Sequence, residues 1–170
     1  MKLDIGCGNH KQPGYIGVDM FPGEDVDVVC DVEHKKLPFE DSTVEEVYTR
    51  HFLEHVDDFD FVLREIHRVC KDGAFVKIEV PHFTRSPYEW HKRHYRHNCF
   101  IDYEVDAKDT LLGVPKLFKC VSRKLIFNGF VPFEKFFNRH PQLYENSFLR
   151  SLFPCASVYV AFRVVKGNKK

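Results

Sequence analysis

Hydrophobic residues near the start of the chain occur in short runs, and each run ends at a glycine or at an acid. Residues 3–5 end at Gly6, and residues 15–18 end at Asp19. Short apolar runs bounded by such residues are typical of strands in a buried sheet. The chain is therefore predicted to begin with two strands that follow each other closely.

A different period appears after residue 58. Apolar residues recur there at helical spacing, at Phe59, Val62, Leu63, Ile66, Val69 and Cys70. Asp57 and Asp58 precede this segment and can cap a helix, and Gly73 follows it and can end one. This is the clearest helix that the sequence predicts, and its place among strands indicates an alternation of strands and helices.

The first two connections between predicted strands are too short for helices. Only residues 9–14 separate Gly8 from the second strand, and Pro13 is among them. The next connection, residues 21–25, contains a Pro-Gly pair. Proline and glycine at this density indicate loops, so we expect loops where an α/β fold normally has its first two crossover helices.

The turn after the first strand has the chemistry of a nucleotide pocket. Gly6 and Gly8 let bare backbone approach a ligand, and Asp19 can accept hydrogen bonds from two ribose hydroxyls. A dinucleotide-binding fold would place a third glycine and a helix here, with its acid about 20 residues further on. Asp19 follows Gly8 much sooner, so a hydride-transfer cofactor fits poorly.

Five motifs in order resemble the class I S-adenosylmethionine-dependent methyltransferases. They are LDIGCG at 3–8, GYIGVD at 14–19, VVCDV at 28–32 with LPFEDS at 37–42, VYTRHFLEHV at 47–56 and RVCKDGAFVKIEVP at 68–81. Residues 138–166 resemble the closing helix and strand of that family more loosely. The resemblance implies an α/β fold: a Rossmann-like, doubly wound, mostly parallel seven-stranded sheet, here with shortened or missing first crossover helices.

The resemblance also implies one domain over residues 1–170. Residues 1–83 would form the cofactor-binding half, residues 84–150 a substrate-recognition segment and lid, and residues 151–170 the closing strand. The missing helices would leave one face of the sheet uncovered, and an exposed apolar face favours association. Either residues 84–150 cover that face or a second subunit does, and we expect a homodimer.

The cofactor that the resemblance implies is S-adenosylmethionine. Asp4 would order the loop and the methionine amino group, Asp19 would hold the ribose, and Asp31 would accept a hydrogen bond from the adenine amino group. The backbone of the first turn and two apolar neighbours of the ring complete the predicted set: Gly6, Cys7, Gly8, Met20 and Val32. Two simpler interpretations stay open: Asp4 as a carboxylate that caps the loop, and Asp31 as a turn residue.

Composition agrees with a small cytoplasmic enzyme. The chain has 170 residues, 44% of them hydrophobic, which is enough for one core of ordinary size. Its apolar runs are far shorter than the roughly 20 residues of a membrane span, and its first residues form a strand without a signal-peptide pattern. Six cysteines are scattered without paired spacing, so we expect them to be reduced.

Charge is distributed unevenly although the formal net charge is zero. Residues 1–81 carry 9 Lys and Arg against 18 Asp and Glu, and residues 82–170 carry 16 against 7. A basic half indicates an anionic partner. The other interpretation is that the two halves neutralise each other across a shared interface.

Methyl transfer to a hydroxyl or an amine needs a base that removes a proton, and histidine is the natural choice near neutral pH. His51 follows the predicted fourth strand, whose end lies beside the methyl group in the related fold, and His55 comes four residues later. We name both as candidate catalytic residues. The alternative is that both only stabilise the loop that leads into the next helix.

A second group of histidines lies in residues 82–99, together with the single tryptophan. His91, His94 and His97 are spaced three apart, which permits a metal site on one helical face. Without a distant ligand pair this signal is weak, and we expect no metal. A lid that contacts an anionic acceptor is favoured over a solvated loop, and its candidate residues are His82, Arg85, Trp90, His91, His94 and Tyr95.

Absent motifs narrow the acceptor. The turn after the predicted fourth strand reads TRHF at 49–52, unlike the Asp/Asn-Pro-Pro-Tyr/Phe turn of amino-group DNA methyltransferases and the Pro-Cys of cytosine C5 enzymes. We therefore expect methyl transfer to oxygen or nitrogen of an anionic acceptor that is glycan-linked, phosphorylated or RNA. The alternative is a cofactor-binding scaffold, or a partner subunit of a methyltransferase complex, without catalysis.

Overall fold

The computed structural model describes residues 1–85, 91–108 and 113–167. Its centre is one seven-stranded sheet with the strand order β3-β2-β1-β4-β5-β7-β6. Only β7 runs antiparallel to its neighbours. The strands are β1 (Lys2–Ile5), β2 (Ile16–Asp19), β3 (Val28–Val29), β4 (Val44–Arg50), β5 (Cys70–Pro81), β6 (Phe118–Ile126) and β7 (Ser157–Val164). The predicted mostly parallel, seven-stranded α/β sheet is confirmed.

Four α-helices lie in the described ranges: α1 (Phe59–Val69), α2 (Glu134–Arg139), α3 (Pro141–Asn146) and α4 (Leu149–Leu152). Asp58 caps α1, because its carboxylate accepts a hydrogen bond from the Phe61 backbone N–H at 2.9 Å. None of the helices in these ranges is long and apolar enough to cross a membrane.

The sequence predicted that α1 ends at Gly73. In the structure α1 ends four residues earlier, at Val69, and the chain enters β5 directly. The backbone N–H groups of Ser42 and Thr43 donate to the carbonyl oxygens of Arg68 and Val69. A helix that continued toward Gly73 would need those carbonyl groups for its own hydrogen bonds. The approach of β4 therefore sets the end of α1, and Gly73 lies inside β5 with φ of +72°.

Both early connections are loops, as expected. Residues 6–15 and 20–27 contain turns and bends but no helix. The later crossover from β4 to β5 contains α1, whose buried side chains join the sheet in one hydrophobic core. The pocket-forming turns of β1 and β2 are thus carried by loops rather than by helix N-termini.

The face of the sheet without helices is polar. Leu3, Val47, Val76 and Phe162 align across four strands on the face that α1 covers, and all four are buried. On the opposite face Glu46 pairs with Lys77 and, at 3.4 Å, with Lys2, and the Tyr15 hydroxyl donates to Glu46. The expectation of an exposed apolar face is therefore wrong, because ion pairs occupy that face. The apolar face was the argument for a homodimer, so the homodimer is now without that support and stays a prediction.

Part of the segment after β5 covers the apolar face. The ring of Phe100 stacks on Phe59 of α1 at 5.5 Å between centroids and meets the edge of Phe162 in β7 at 6.2 Å. Residues 118–126 of the same segment form β6, an edge strand of the sheet. The predicted lid over residues 84–150 is therefore in large part a structural element of the domain.

Candidate functional site

The turn after β1 depends on glycine at two positions for different reasons. Gly6 has φ of +72°, and a Cβ there would lie 2.5 Å from side-chain atoms of Phe52. Gly8 has φ of +52°, and a Cβ there would meet nothing within 4 Å. Only Gly6 is thus required by packing, while the backbone of Gly8 faces open space that a ligand can fill.

Two buried or half-buried acids order this turn. Asp4, 2% exposed, accepts a hydrogen bond from the Gln12 N–H at 2.8 Å. Burial raises the pKa of Asp4, and this hydrogen bond opposes the rise. Asp19 at the end of β2 accepts from the backbone N–H groups of Gly8 at 2.9 Å and Phe21 at 3.1 Å, one to each carboxylate oxygen. Each oxygen keeps a lone pair for another donor.

Asp31 lies in the loop after β3. Its carboxylate accepts from the Glu33 N–H at 3.2 Å and lies 2.9 Å from the Nδ1 atom of His34. The hydrogen bond with His34 lowers the pKa of Asp31. The carboxylate is therefore ionised at neutral pH, which suits an acceptor of hydrogen bonds. Cys7, in contrast, has a pKa raised by burial to about 11, so its thiol is neutral.

Three cavities meet at the carboxyl ends of β1, β2, β4 and β5. The Asp31 cavity, of about 330 Å³, is lined by Gly6, Asp19, Met20, Phe21, Cys30, Asp31, Val32, Glu33, His51, Phe52, His55 and Val56. The Asp4 cavity, of about 310 Å³, is lined by Asp4, Gly6, Cys7, Gly8, Asn9, His10, Asp19, Tyr48, Arg50 and His51. All eight predicted cofactor residues line one of these two cavities, and Gly6 and Asp19 line both.

The third cavity is the largest, at about 980 Å³, and we call it the histidine cavity. Its lining consists of His51, Glu54, His55, Glu79, Pro81, Thr84, Arg85, His91, Ile126, Asn128, Pro154, Ala156 and Ser157. His51 lines all three cavities. His51 therefore lies at the junction of the histidine cavity with the Asp31 and Asp4 cavities, whose linings suit parts of a nucleotide.

His51 is held in an unusual backbone conformation. Its φ is +52°, a left-handed value that non-glycine residues rarely adopt, and its N–H donates to the carbonyl oxygen of Glu79 at 3.0 Å. Nδ1 of its ring lies 3.5 Å from the carboxylate of Glu54, and Nε2 lies 4.0 Å from that of Glu79. The side chain is 47% exposed and faces the cavities between two acids.

The predicted acceptor residues do not all reach the histidine cavity. Arg85 and His91 line it, and Trp90 lies outside the described residues. His94 is exposed and is not part of that lining. The segment of His91 and His94 is not helical, so the spacing of three places no histidine ladder on one face.

His82 and Tyr95 are placed in the interior, which contradicts their prediction as acceptor contacts. His82 is fully buried, with Nε2 3.1 Å from Glu145 and Nδ1 2.8 Å from the Thr84 hydroxyl. Tyr95 is 5% exposed, and its hydroxyl donates to the Leu53 carbonyl oxygen at 3.0 Å. Both rings have polar partners inside the domain and present no surface to an acceptor.

The sequence-based prediction missed Arg50, Glu54 and Glu79. Arg50 ends β4 and lines the Asp4 cavity, so it offers a cation where an anion could bind. Glu54 and Glu79 flank His51 in the histidine cavity. Arg50 could have been predicted as a site residue, because it ends a strand beside the glycine turn. No local sequence feature distinguishes Glu54 and Glu79 from the other acids of the chain.

Some of the basic residues of the second half neutralise acids of the first half. Lys92 forms an ion pair with Asp57 at 2.6 Å. Arg93 donates to the carbonyl oxygens of Val56 and Asp57 and lies over the ring of Phe59 at 5.1 Å. These side chains therefore stabilise the turn before α1.

Comparisons with known proteins agree with this geometry. The family model described as "Methyltransferase domain" matches residues 3–78. A ubiquinone/menaquinone biosynthesis C-methyltransferase from Desulfotalea psychrophila is 46% identical over 55 residues, which is 32% of this chain and 22% of that protein. The sterol 4-C-methyltransferase strm-1 of Caenorhabditis elegans is 29% identical over 123 residues, 59% of this chain and 37% of that protein. The chain thus spans less than two fifths of either relative.

The fold has close counterparts among solved structures. A SAM-dependent methyltransferase from Archaeoglobus fulgidus superposes with a TM-score of 0.61 at 20% identity, covering 95% of this chain and 85% of the other. At this identity the likeness concerns the fold. The family match over residues 3–78 includes the glycine turn. The acids that close the early strands line the Asp4 and Asp31 cavities. Residues 3–78 therefore match the methyltransferase domain family, and the chain as a whole shares its fold with solved SAM-dependent methyltransferases.

Proposed function

We propose that this protein transfers the methyl group of S-adenosylmethionine to an oxygen or nitrogen atom of an anionic acceptor, with His51 as the base. The observation that carries the proposal is that His51 lines all three cavities. A residue at that junction touches both the space suited to the cofactor and the space open to an acceptor.

The residues of the two smaller cavities fit the parts of S-adenosylmethionine. Asp31 would accept a hydrogen bond from the adenine amino group, with Val32 and Met20 against the ring. Asp19 lines both cavities, which is the position that a ribose between adenine and methionine requires. Its carboxylate oxygens already bind two backbone N–H groups and keep capacity for two hydroxyls.

The methionine part of the cofactor would lie in the Asp4 cavity. Arg50 offers a cation for the carboxylate, and Asp4 offers an acceptor for the amino group. The open space in front of Gly8 lets the ligand approach the backbone. When bound, the cofactor supplies an electrophilic methyl group. The protein's task is then to position the nucleophile and remove its proton.

His51 would take that proton. Its ring lies between two carboxylates, with Nδ1 3.5 Å from Glu54 and Nε2 4.0 Å from Glu79. Arg85 at the rim of the histidine cavity supports an anionic acceptor. The acceptor classes that fit are glycan-linked, phosphorylated or RNA substrates, and cytoplasmic location stays a prediction with them.

The first test is titration calorimetry of the protein with S-adenosylmethionine and with its demethylated product. We expect binding that Asp19→Ala abolishes, because the ribose then has no acceptor. An Asp60→Ala variant is a matched control, since Asp60 forms an ion pair with Arg64 on α1 and lines none of the three cavities. Absence of binding by the wild-type protein would contradict the proposal and favour the scaffold interpretation.

The role of His51 is tested with His51→Asn. Asparagine tolerates the left-handed backbone conformation of this position better than most residues, so the variant removes the base with little strain. We expect turnover on an accepted substrate to fall by ~10²-fold or more while cofactor affinity is retained. An unchanged rate would assign His51 to structure alone.

A further inference from the structure

Glu54 is a buried carboxylate without a hydrogen-bond donor. Its side chain is 0% exposed, and neither oxygen accepts a hydrogen bond from any residue that the structure describes. The nearest ring nitrogens, in His51 and His55, are 3.5 Å and 3.8 Å from Oε1. These separations are longer than hydrogen bonds. Burial of a carboxylate that accepts no hydrogen bond is unfavourable, so a cation bound at this position would stabilise it.

Two imidazoles stand beside this carboxylate. His55 follows Glu54 in the chain, and His91 comes from the segment after β5. Their rings meet edge to face with centroids 5.1 Å apart. One ligand atom from each of Glu54, His55 and His91 lies within 4.8 Å of the other two. The tertiary structure therefore brings together the distant ligands that the spacing of histidines lacked.

The cluster has an entry path. All three residues line the histidine cavity, of about 980 Å³, together with His51. Zinc bonds to nitrogen and carboxylate oxygen are about 2.0–2.2 Å long, so the three atoms must draw closer around one ion. The ring of His55 is 42% exposed and has room to rotate.

We propose that Glu54, His55 and His91 bind a divalent transition-metal ion of the zinc class in the histidine cavity. Two imidazoles and one carboxylate suit such an ion, whereas Mg²⁺ and Ca²⁺ prefer oxygen ligands throughout. Three protein ligands leave a coordination position open. If the proposed methyl transfer holds, an oxygen of an anionic acceptor would be a suitable ligand for that position.

The test uses the untagged chain of residues 1–170, freed of metal by a chelator and titrated with Zn²⁺ against a chromophoric zinc indicator, with Mg²⁺ as the contrasting ion. We expect one equivalent of Zn²⁺ to bind and Mg²⁺ not to compete. Binding should weaken at least about tenfold in Glu54→Gln and in His91→Ala. His140→Ala is the control, because this exposed histidine lies between α2 and α3 and should leave the zinc affinity unchanged.

Thermal unfolding separates a lost ligand from a damaged fold. Without metal, Glu54→Gln should be at least as stable as the wild-type protein, because it replaces a buried carboxylate that accepts no hydrogen bond with a neutral side chain of the same shape. With Zn²⁺ the wild-type protein should gain stability and the variant should not. Failure of the wild-type protein to bind Zn²⁺, or equal binding by both variants, would overturn the proposal. Cofactor titration is independent of this result, so a metal site without cofactor binding would refute only the catalytic role.

Discussion

Replacement of Gly6 and Gly8 by alanine tests the physical account of the cofactor turn. Both glycines have positive φ, +72° and +52°, so each substitution places a Cβ in a left-handed conformation. The two positions differ in what that Cβ meets. At Gly6 it overlaps Phe52 side-chain atoms at 2.5 Å, and at Gly8 it has nothing within 4 Å.

The expected loss of stability follows from these two terms. The left-handed conformation costs an L-residue about 1–2 kcal/mol, and this term is common to both variants. Overpacking against a neighbouring side chain, here the partly buried Phe52, costs about 1–3 kcal/mol, and only Gly6→Ala incurs it. We therefore expect Gly6→Ala to lower the free energy of unfolding by about 2–5 kcal/mol, and Gly8→Ala by about 1–2 kcal/mol.

Urea unfolding of both variants measures the difference, provided that the slopes of the transitions are equal. Cofactor titration should rank the two variants differently from urea unfolding, with the larger loss of affinity relative to the loss of stability in Gly8→Ala. Gly8→Ala fills space in the Asp4 cavity, so it should weaken S-adenosylmethionine binding more than its small stability loss suggests. Equal destabilisation by the two variants would refute the steric argument at Phe52. Unchanged cofactor affinity in Gly8→Ala would refute the proposal that the cofactor lies against Gly8 in the Asp4 cavity.

Two further predictions concern charge. Arg50→Gln should weaken S-adenosylmethionine binding about tenfold or more, as expected for a lost charged contact, while Arg64→Gln on the exposed face of α1 should not; equal titrations of both variants would remove Arg50 from the site. Burial lowers the pKa of His97 to about 4, with a further contribution from the charge of Arg123. The unfolded chain therefore binds a proton near pH 6.5 that the native protein does not, so stability is full above that pH and falls as the pH drops toward 4. Urea unfolding at pH 7.5 and 5 should show a loss of about 2 kcal/mol from His97, which His97→Gln removes; an identical pH dependence in this variant would contradict the shift.

Much of the fold could be predicted from local pattern. The structure agrees with the prediction at the first two strands, at the cap of α1 by Asp58 and at the two loops that replace helices. Each of these features depends on residues that are close together in the sequence. The eight residues that the family resemblance implies for the cofactor line two neighbouring cavities, and their role as cofactor contacts stays a prediction. The end of α1 could not be predicted in this way, since hydrogen bonds from Ser42 and Thr43 set it.

The sequence by itself determined which segments of residues 1–83 become strands, where the glycine turn lies and which acids close the early strands, because hydrophobic periodicity and turn chemistry act locally. Tertiary structure alone decided which distant side chains meet. It buried His82 and Tyr95, placed ion pairs on the sheet face that has no helices, and brought His91 to Glu54 and His55. Such contacts depend on how elements pack across the sheet, and packing is a property of the whole chain that no short stretch of residues contains.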